Sequence, residues 1–357
     1  MSKKDMNVNR EFISRCFDLN NLSFLIGSGM SKQFNGPTIH DIAGEIKKEL
    51  SKQKSLDDIT EQWIEKHLSK EPRDIEAFLD ILYLKKRYLD EIGEQDKSND
   101  SFIDLSRKII FDQCSFIPNS DNLNLLFIFL NSLVNRKSGL EKAQLFTLNY
   151  DLLIEHCSDE LGILINDGFD GSIERWLNPS KFDVDFYYPS GVVGDKPVRS
   201  ENSFNYYKLH GSLNWIKKNN RIIKGKPSYE NMIIYPCQIK YDMMLYEPFL
   251  EIFRRFSVAI KRPKSALITI GYSFADAHIN QIILQALEQP NFHLIIIDPK
   301  KDNIKKNFPN SSKFSDKIKQ LNINFEDFVD TYLPRGREDF LSPAEKVVNS
   351  LKKLIKE

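Results

Sequence analysis

The chain has 357 residues, 41% of them hydrophobic, with 50 Lys plus Arg set against 50 Asp plus Glu, so its formal net charge is zero. That length holds one large α/β domain or two small ones, and the balanced charge gives no global field to steer a polyanion, so direct nucleic-acid binding is not expected. Cys16, Cys114, Cys157 and Cys237 stand far apart with no C-x-x-C pair, which excludes a zinc ribbon, predicts no metal site and fits reduced thiols in the cytoplasm.

Residues 1–22 are polar, and MSKKDMNVNR lacks the apolar core of a signal peptide. One apolar group there, Phe12, Ile13, Cys16 and Phe17, falls at helical spacing. The run Ser23-Phe24-Leu25-Ile26 reads as a buried strand ending in Gly27-Ser28-Gly29, and a helical pattern (Ile39, Ile42, Ala43, Ile46, Leu50) opens at Pro37-Thr38. Strand, glycine turn and helix form the first half of a nucleotide-binding α/β unit, where a residue without Cβ lets backbone amides approach a pyrophosphate. The dinucleotide fingerprint is incomplete: Lys32 stands where the third glycine belongs, and Glu45 and Glu49 lie on a helical pattern rather than at the end of a second strand. A plain dehydrogenase is thereby disfavoured.

Residues 51–140 read as a mostly helical insertion, with apolar faces at Ile75, Phe78, Leu79, Leu82 and Tyr83, at Phe102–Phe111, and at Leu123, Leu126, Phe127, Leu130 and Val134. Gln144–Leu148 is a second buried strand running into Asn149-Tyr150-Asp151 and a helix (Leu152, Leu153, Ile154, Cys157, Leu161). Residues 162–203 are loop-rich, and irregular stretches of that length are more often functional than decorative. Tyr206–Leu209 and Leu213–Ile216 read as two short strands about a turn, followed by a charged tip at Lys217–Lys226 and a strand at Met232–Pro236. A helix at Tyr246–Ile260, a strand at Ser265–Ile270, a helix at Asp276–Leu287 and a strand at Phe292–Ile297 come next. A weak strand at Leu321–Phe325 and a helix near 343–356 close the chain, and no apolar run approaches the roughly 20 residues of a membrane span. Apolar runs alternating with helices predict a parallel sheet with its site at the carboxyl ends of the strands, where every polar motif falls.

Each motif also has a plainer explanation. Asp151 is a natural N-cap, whereas the Asn149 amide can both orient a water and bond a ribose hydroxyl. A lone His such as His210 is usually a satisfied core residue, but Gly211 beside it permits close approach by a ligand. His278 fits a structural or interface role, and Asp298 either accepts from ribose hydroxyls or begins the turn before Pro299.

In this order, Gly27-Ser28-Gly29-Met30-Ser31, Thr147-Leu148-Asn149-Tyr150-Asp151, His210-Gly211 and Gly271-Tyr272-Ser273 resemble the sirtuin fold, a Rossmann-type NAD domain with a smaller inserted module. KLHGSLNW, IIYP, FRRF and GYSFADAHIN are most similar to bacterial sirtuin-like NAD hydrolases of anti-phage defence, and among them to the subunit that partners a HerA-type ATPase. The resemblance implies an α/β, Rossmann-like, sirtuin-like domain over residues 1–334, with the 51–140 insertion and no zinc ribbon, followed by a tail helix in 335–357. It implies catalytic roles for Asn149 and His210 supported by Asp151. It also implies that Gly27, Ser28, Gly29 and Ser31 hold NAD near its phosphates and scissile ribose, that Gly271 takes part in binding NAD, and that Ser273 and Asp298 hold the adenosine half.

The chain departs from protein-deacylating sirtuins in having no four-cysteine zinc module, and Asn35-Gly36-Pro37-Thr38-Ile39 lacks their phenylalanine–arginine ending, so deacylation is disfavoured. The expected activity is cleavage of NAD to nicotinamide and ADP-ribose, acting in defence by NAD depletion. No G-x-x-x-x-G-K-[ST] loop is present, so nucleoside triphosphate hydrolysis falls to the HerA-type partner, with the chain itself a homo-oligomer in that assembly and the insertion or the tail after Pro334 as docking surface. The alternatives are a regulatory subunit that binds NAD or ADP-ribose without turnover, a deacylase, and a nuclease-like component using Arg254, Arg255, Lys261 and Arg262.

Overall fold

A computed structural model describes residues 3–52, 62–69, 75–116, 123–189, 196–219, 221–229, 232–234, 249–300, 304 and 307–333. Helix α1 (Lys3–Phe17) leads into β1 (Asn21–Ile26), whose last five residues are all buried. A one-turn helix, α2 (Ser28–Ser31), follows Gly27 directly, and the chain turns through left-handed Asn35 (φ 65°) into α3 (Ile39–Leu50). Thr38 caps α3 in a reciprocal box: its Oγ1 accepts from the Asp41 amide at 3.3 Å while the Asp41 carboxylate accepts from the Thr38 amide at 2.8 Å. The helical pattern therefore begins where Pro37-Thr38 predicted, but the glycine turn contains a helix of its own that the periodicity did not register.

Between α3 and the second strand lie a π-helical turn (Glu65–Ser69), α4 (Ile75–Ile92), α5 (Lys97–Cys114) and α6 (Leu123–Val134). Then come β2 (Gln144–Thr147), α7 (Leu153–Leu161) and short strands β3 (Leu164–Asn166), β4 (Phe169–Asp170), β5 (Trp176–Leu177), β6 (Tyr187–Tyr188) and β7 (Val198–Arg199). β8 (Ser203–Lys208), β9 (Gly211–Lys218), β10 (Arg221–Lys224) and β11 (Met232–Ile234) follow. The last described elements are α8 (Phe249–Lys261), β12 (Ser265–Ile270), α9 (Ala277–Leu287), β13 (Phe292–Ile297), β14 (Ile318–Leu321) and α10 (Phe325–Tyr332).

Seven strands form an all-parallel sheet in the order β14-β13-β12-β1-β2-β8-β3. Parallel strands must be covered on both faces, and the continuous apolar runs of β1, β12 and β13 supply a buried face in each direction. Phe24, Leu145, Ile268 and Ile295 point to the layer made by α1, α6, α7 and α10. Their chain neighbours Leu25, Phe146, Leu267 and Ile296 point to the opposite layer of α8 and α9. Full burial of side chains such as Phe256 and Ile283 contributes about 1.5–3 kcal/mol each. Burial pushes the Cys16 and Cys157 thiols up to about 12, so both are neutral packing groups.

The chain starts in the middle of this sheet. From β1 it builds β2, β3 and β8 to one side, then crosses over to build β12, β13 and β14 on the other. The strand order reverses between β1 and β12, the topological switch point at which open α/β sheets bind ligands beyond their carboxyl ends.

A second, antiparallel sheet has the order β11-β9-β10-β5-β4. The segments 206–209 and 213–216 fall in two strands about a turn, as expected, but the strands do not pair with each other: β8 lies in the parallel sheet and β9 in the antiparallel one, because Gly211 (φ 89°) redirects the chain between them. The segment 162–203 is less loop-like than its composition implied, since it supplies β3 to β7 and buries Phe169, Leu177 and Phe182 in the core beneath α8. The strand expected at 321–325 is β14, which ends at Leu321, and Phe325 already begins α10. Cys237 and the expected helix near 343–356 lie outside the described residues.

The four basic residues singled out in the sequence lie on or just after α8, and three have internal partners. Arg255 donates two hydrogen bonds to the Asp183 carboxylate at 2.7 and 2.8 Å, Arg254 pairs with Glu251, and Lys261 reaches the Gln285 side chain at 2.6 Å. Arg255 ties α8 to the Pro179–Asp183 turn.

Helix α3 and the insertion's α4 and α5 share a core of their own, including Ile46, Leu68, Phe78, Leu82, Phe102 and Ile110. Two residues from beyond the insertion join that core, Tyr150 after β2 and Leu213 in β9. No helix among the described residues is long and apolar enough to cross a membrane.

Candidate active site

The carboxyl ends of four adjacent strands are knitted together by backbone hydrogen bonds. Leu209 donates to the Thr147 carbonyl at 2.9 Å, Leu148 to Ile26 at 2.9 Å, and Gly27 to Ile270 at 3.0 Å. At the switch point three glycines meet backbone to backbone. A Cβ on Gly27 would lie 2.5 Å from the Gly271 carbonyl oxygen, one on Gly29 would lie 2.9 Å from Gly271 Cα, and one on Gly271 would lie 2.3 Å from the Met30 nitrogen. The Gly29 amide donates to the Gly271 carbonyl at 3.0 Å. These glycines let α2 seat directly on the turn after β12, a packing role additional to the phosphate approach expected from the sequence.

Ser31, at the end of α2, faces the turn after β2. Asn149 Nδ2 donates to Ser31 Oγ at 2.8 Å and to the Gly27 carbonyl at 3.3 Å, and Ser31 Oγ donates to Asp151 Oδ2 at 2.9 Å. The orientation of the Asn149 amide follows from chemistry, because a carbonyl such as that of Gly27 can only accept. Both amide protons of Asn149 are therefore committed, and Oδ1 is the polar atom it can turn toward a ligand. Asp151 stands one residue before Leu152, the N-cap of α7, rather than at the cap itself, and its Oδ1 accepts from the Leu153 amide at 3.1 Å in a turn that leads into the helix.

Lys208, the last residue of β8, is 3% exposed and reaches under this turn. Its Nζ donates to the carbonyl of Asp151, lies 3.4 Å from that of Tyr150, and pairs with Glu155 at 3.1 Å. Glu155 also accepts from the Tyr206 hydroxyl at 3.1 Å. Lys208 thus anchors the turn carrying Asn149 to the strand that leads to His210.

Burial holds the Asp151 carboxyl above the usual carboxylate range, with the nearby Lys208 ammonium and the bonds from Leu153 and Ser31 opposing it. A raised folded-state value means that the native protein binds this proton more tightly than the unfolded chain, so stability falls as pH rises from the ordinary carboxylate value through the raised one. Asp151→Asn removes the charge and keeps an acceptor for the Leu153 amide. Its melting temperature is expected to equal or exceed that of the parent above this window, with the advantage vanishing at more acidic pH. Thermal melts of both proteins across pH check this, and a variant less stable at every pH would refute it.

His210 sits two residues beyond β8 and is tied to a different part of the sheet. Its Nε2 lies 3.1 Å from Asp276 Oδ2, with the two side chains 8% and 7% exposed. Asp276 caps α9, its Oδ1 accepting from the His278 and Ile279 amides at 2.9 and 3.2 Å. Behind it Tyr272 donates from its hydroxyl to Asn280 Oδ1 at 2.9 Å, and Asn280 Nδ2 donates to the Phe274 carbonyl at 2.7 Å. Phe274 holds a left-handed backbone (φ 58°) in this turn. Because β12 and β8 flank β1 and β2 in the sheet, the His210–Asp276 contact bridges across the ends of both central strands.

Of the residues expected at the site, the structure brings Ser31, Asn149 and Asp151 into direct contact and sets His210 at the adjoining strand end. Gly27, Gly29 and Gly271 form the floor of the switch point, with Ser28 half-buried at the start of α2. Ser273 is exposed beyond β12, and its carbonyl accepts from Asn307 at 2.8 Å. Asp298 is buried at the end of β13, two strands from β1, and closes a turn through the Lys300 amide at 2.8 Å. Sequence reasoning missed Asp276 as a partner of His210, having taken it only as a helix start, and it missed Lys208. A lysine inside the apolar run Tyr206–Leu209 was the available signal, since lysine is almost never fully buried without a partner. Among the described residues no group of His, Cys, Asp and Glu is arranged to hold a metal ion.

The profile of the SIR2-like domain family matches residues 143–325, just over half of the chain. The protein belongs to this family. Its SIR2-like span opens at β2 and takes in Asn149, Asp151, Lys208, His210, Gly271, Ser273, Asp276 and Asp298, whereas the Gly27 turn and the helical insertion precede it. No curated protein matches this SIR2-like chain. Among solved structures, a variant of a Sir2 homologue in complex with ADP-ribose aligns with 100% of this chain and 98% of its own at 13% identity and a TM-score of 0.41. A Sir2 complex with the inhibitor EX-527, 2'-O-acetyl-ADP-ribose and a deacetylated p53 peptide aligns over 90% of this chain and 96% of its own at 15% identity and a TM-score of 0.40.

Proposed function

We propose that this SIR2-like chain is an NAD glycohydrolase that converts NAD and water to nicotinamide, ADP-ribose and a proton. The observation that carries the reading is the convergence at a Rossmann switch point of Asn149, its two amide protons held by Ser31 and Gly27, with His210, its ring held by Asp276. Nicotinamide leaves NAD as a neutral molecule from a cationic precursor, so the protein has no need of a strong general acid. The demands that remain are to hold the ribose, to exclude bulk water and to place one water opposite the leaving group.

In this mechanism Asn149 Oδ1 accepts from that water or from a ribose hydroxyl. The bond from ribose C1' to nicotinamide breaks with its electron pair going to the ring nitrogen, the water oxygen bonds to C1', and His210 takes up the water's proton. The glycine floor and Ser31 lie beside the scissile ribose, with Ser273 and Asp298 toward the adenosine half. Deacylation is not favoured, since the described cysteines Cys16, Cys114 and Cys157 are separately buried thiols rather than a cluster.

The proposal extends to the setting. An unrestrained NAD hydrolase would drain its own cell, so the activity would be gated by assembly of a homo-oligomer with a HerA-type ATPase and would serve anti-phage defence by depleting NAD in the cytoplasm. The test is chromatographic. Purified chain, alone and with the ATPase, is incubated with NAD, and nicotinamide, ADP-ribose and cyclic product are resolved. Nicotinamide and ADP-ribose in equal amounts, lost in His210→Ala, are expected. Absence of nicotinamide under both conditions, or unchanged turnover by His210→Ala, would sink the reading.

A further inference from the structure

We infer that Asp276 is a positioning residue for His210, fixing which ring nitrogen carries the proton and stabilising the imidazolium formed during turnover; this rests on the glycohydrolase reading above. The two carboxylate oxygens of Asp276 have separate tasks. Oδ1 accepts from the His278 and Ile279 amides at the start of α9, and Oδ2 faces His210 Nε2 at 3.1 Å. Both side chains are more than nine-tenths buried, so bulk water does little to screen their interaction.

An ionised carboxylate can only accept hydrogen bonds, so Nε2 must be the protonated nitrogen and Nδ1 the basic one. When His210 gains a second proton, the fixed negative charge of Asp276 stabilises the resulting cation without itself becoming protonated, as the carboxylate of a Ser-His-Asp triad does. The position of Asp276 is also over-determined. The Asp276 carbonyl accepts from the Asn280 amide at 3.0 Å, the Tyr272 hydroxyl donates its one proton to Asn280 Oδ1 at 2.9 Å, and Asn280 Nδ2 holds the Phe274 carbonyl of the same turn. The GYSFADAHIN segment therefore supplies a carboxylate locked at both its backbone and its side chain, aimed across the central strands at the imidazole.

The division of labour makes the role separable from helix capping. In Asp276→Asn the remaining oxygen still caps α9, because Asn and Asp are equally good N-caps. The amide nitrogen that replaces Oδ2 is a donor, however, and requires Nε2 to accept, which moves the imidazole proton to Nδ1. Asp276→Ser keeps a cap and removes the contact with His210 altogether.

The experiment uses the full chain with histidine labelled in 15N, reading the tautomer of His210 by long-range 15N–1H correlation, with His210→Gln to assign the signal. Nicotinamide release is measured in parallel. In the parent, His210 is expected as the Nε2–H form. In Asp276→Asn it is expected as the Nδ1–H form, with kcat reduced by about 100-fold or more, KM within about twofold, and thermal melting close to the parent. The same tautomer in both proteins, or undiminished kcat in the asparagine variant, would overturn the assignment. A parent that releases no nicotinamide would defeat the glycohydrolase reading alone, and the tautomer comparison would still decide whether Asp276 sets the protonation of His210.

Discussion

Asn149→Ala is expected to release nicotinamide from NAD at less than about one hundredth of the parental rate, the order of loss seen when one preorganised polar group is removed from a reaction centre. The cause is loss of Oδ1, the atom that the bonds to Gly27 and Ser31 hold in place. Stability should suffer little. The Gly27 carbonyl retains the Met30 amide at 3.1 Å, and Ser31 Oγ retains Asp151 at 2.9 Å, so no buried partner is orphaned. The net cost should be about 1 kcal/mol. Nicotinamide release and a thermal melt on the same preparation test both halves. Parental turnover in a folded variant would remove Asn149 from the mechanism. Collapse of the melt would instead give Asn149 a structural role of the kind the sequence assigned to Asp151.

Gly271→Ala should cost about 3 kcal/mol or more of stability. Two costs add. The backbone sits at φ 62°, where a residue with Cβ pays roughly 1–2 kcal/mol. The new carbon would also lie 2.3 Å from the Met30 nitrogen and 2.6 Å from the Gly29 carbonyl carbon, both of them backbone atoms with no rotamer to yield. Overpacking of that kind costs about 1–3 kcal/mol. Gly162→Ala isolates the first cost, since Gly162 has φ 64° with nothing within 4 Å of its virtual Cβ. Denaturant melts of the two variants should differ by the clash alone. Equal losses would mean that α2 moves away from the turn after β12 without penalty.

The same glycines illustrate what can be seen in a sequence. The parallel sheet was legible because apolar runs such as Phe292–Ile297 and Ser265–Ile270 need cover on both faces, and each ends in a polar turn. The switch point was legible for a related reason, since Gly27, Asn149, His210 and Gly271 each fall just past such a run. What escaped was everything that depends on pairing at long range. Nothing in the local pattern around Asp276 distinguishes a helix cap from a carboxylate that both caps and meets an imidazole sixty-six positions earlier. Gly27 and Gly29 read as a phosphate turn because the contact partner of their missing Cβ atoms, Gly271, lies at the far end of the chain. The separation of β8 from β9 was hidden for a third reason: two short apolar runs about His210-Gly211 have the same local signature whether they form one hairpin or enter two sheets.

One shared residue gives the helical insertion a bearing on the site. Tyr150 lies between Asn149 and Asp151, yet its ring is a member of the insertion's core, and its carbonyl accepts from the Leu213 amide at 3.1 Å. Leu213 belongs to the same core and follows His210 by three residues. In native-state hydrogen exchange, amides of α3 to α5 and those of Leu213 and Leu153 should then open as a single cooperative unit with one free energy. The helices and the polar cluster would share one opening event, so a substitution within the insertion such as Phe102→Ala should raise the exchange rate at Leu213 by the same factor as in its own helix.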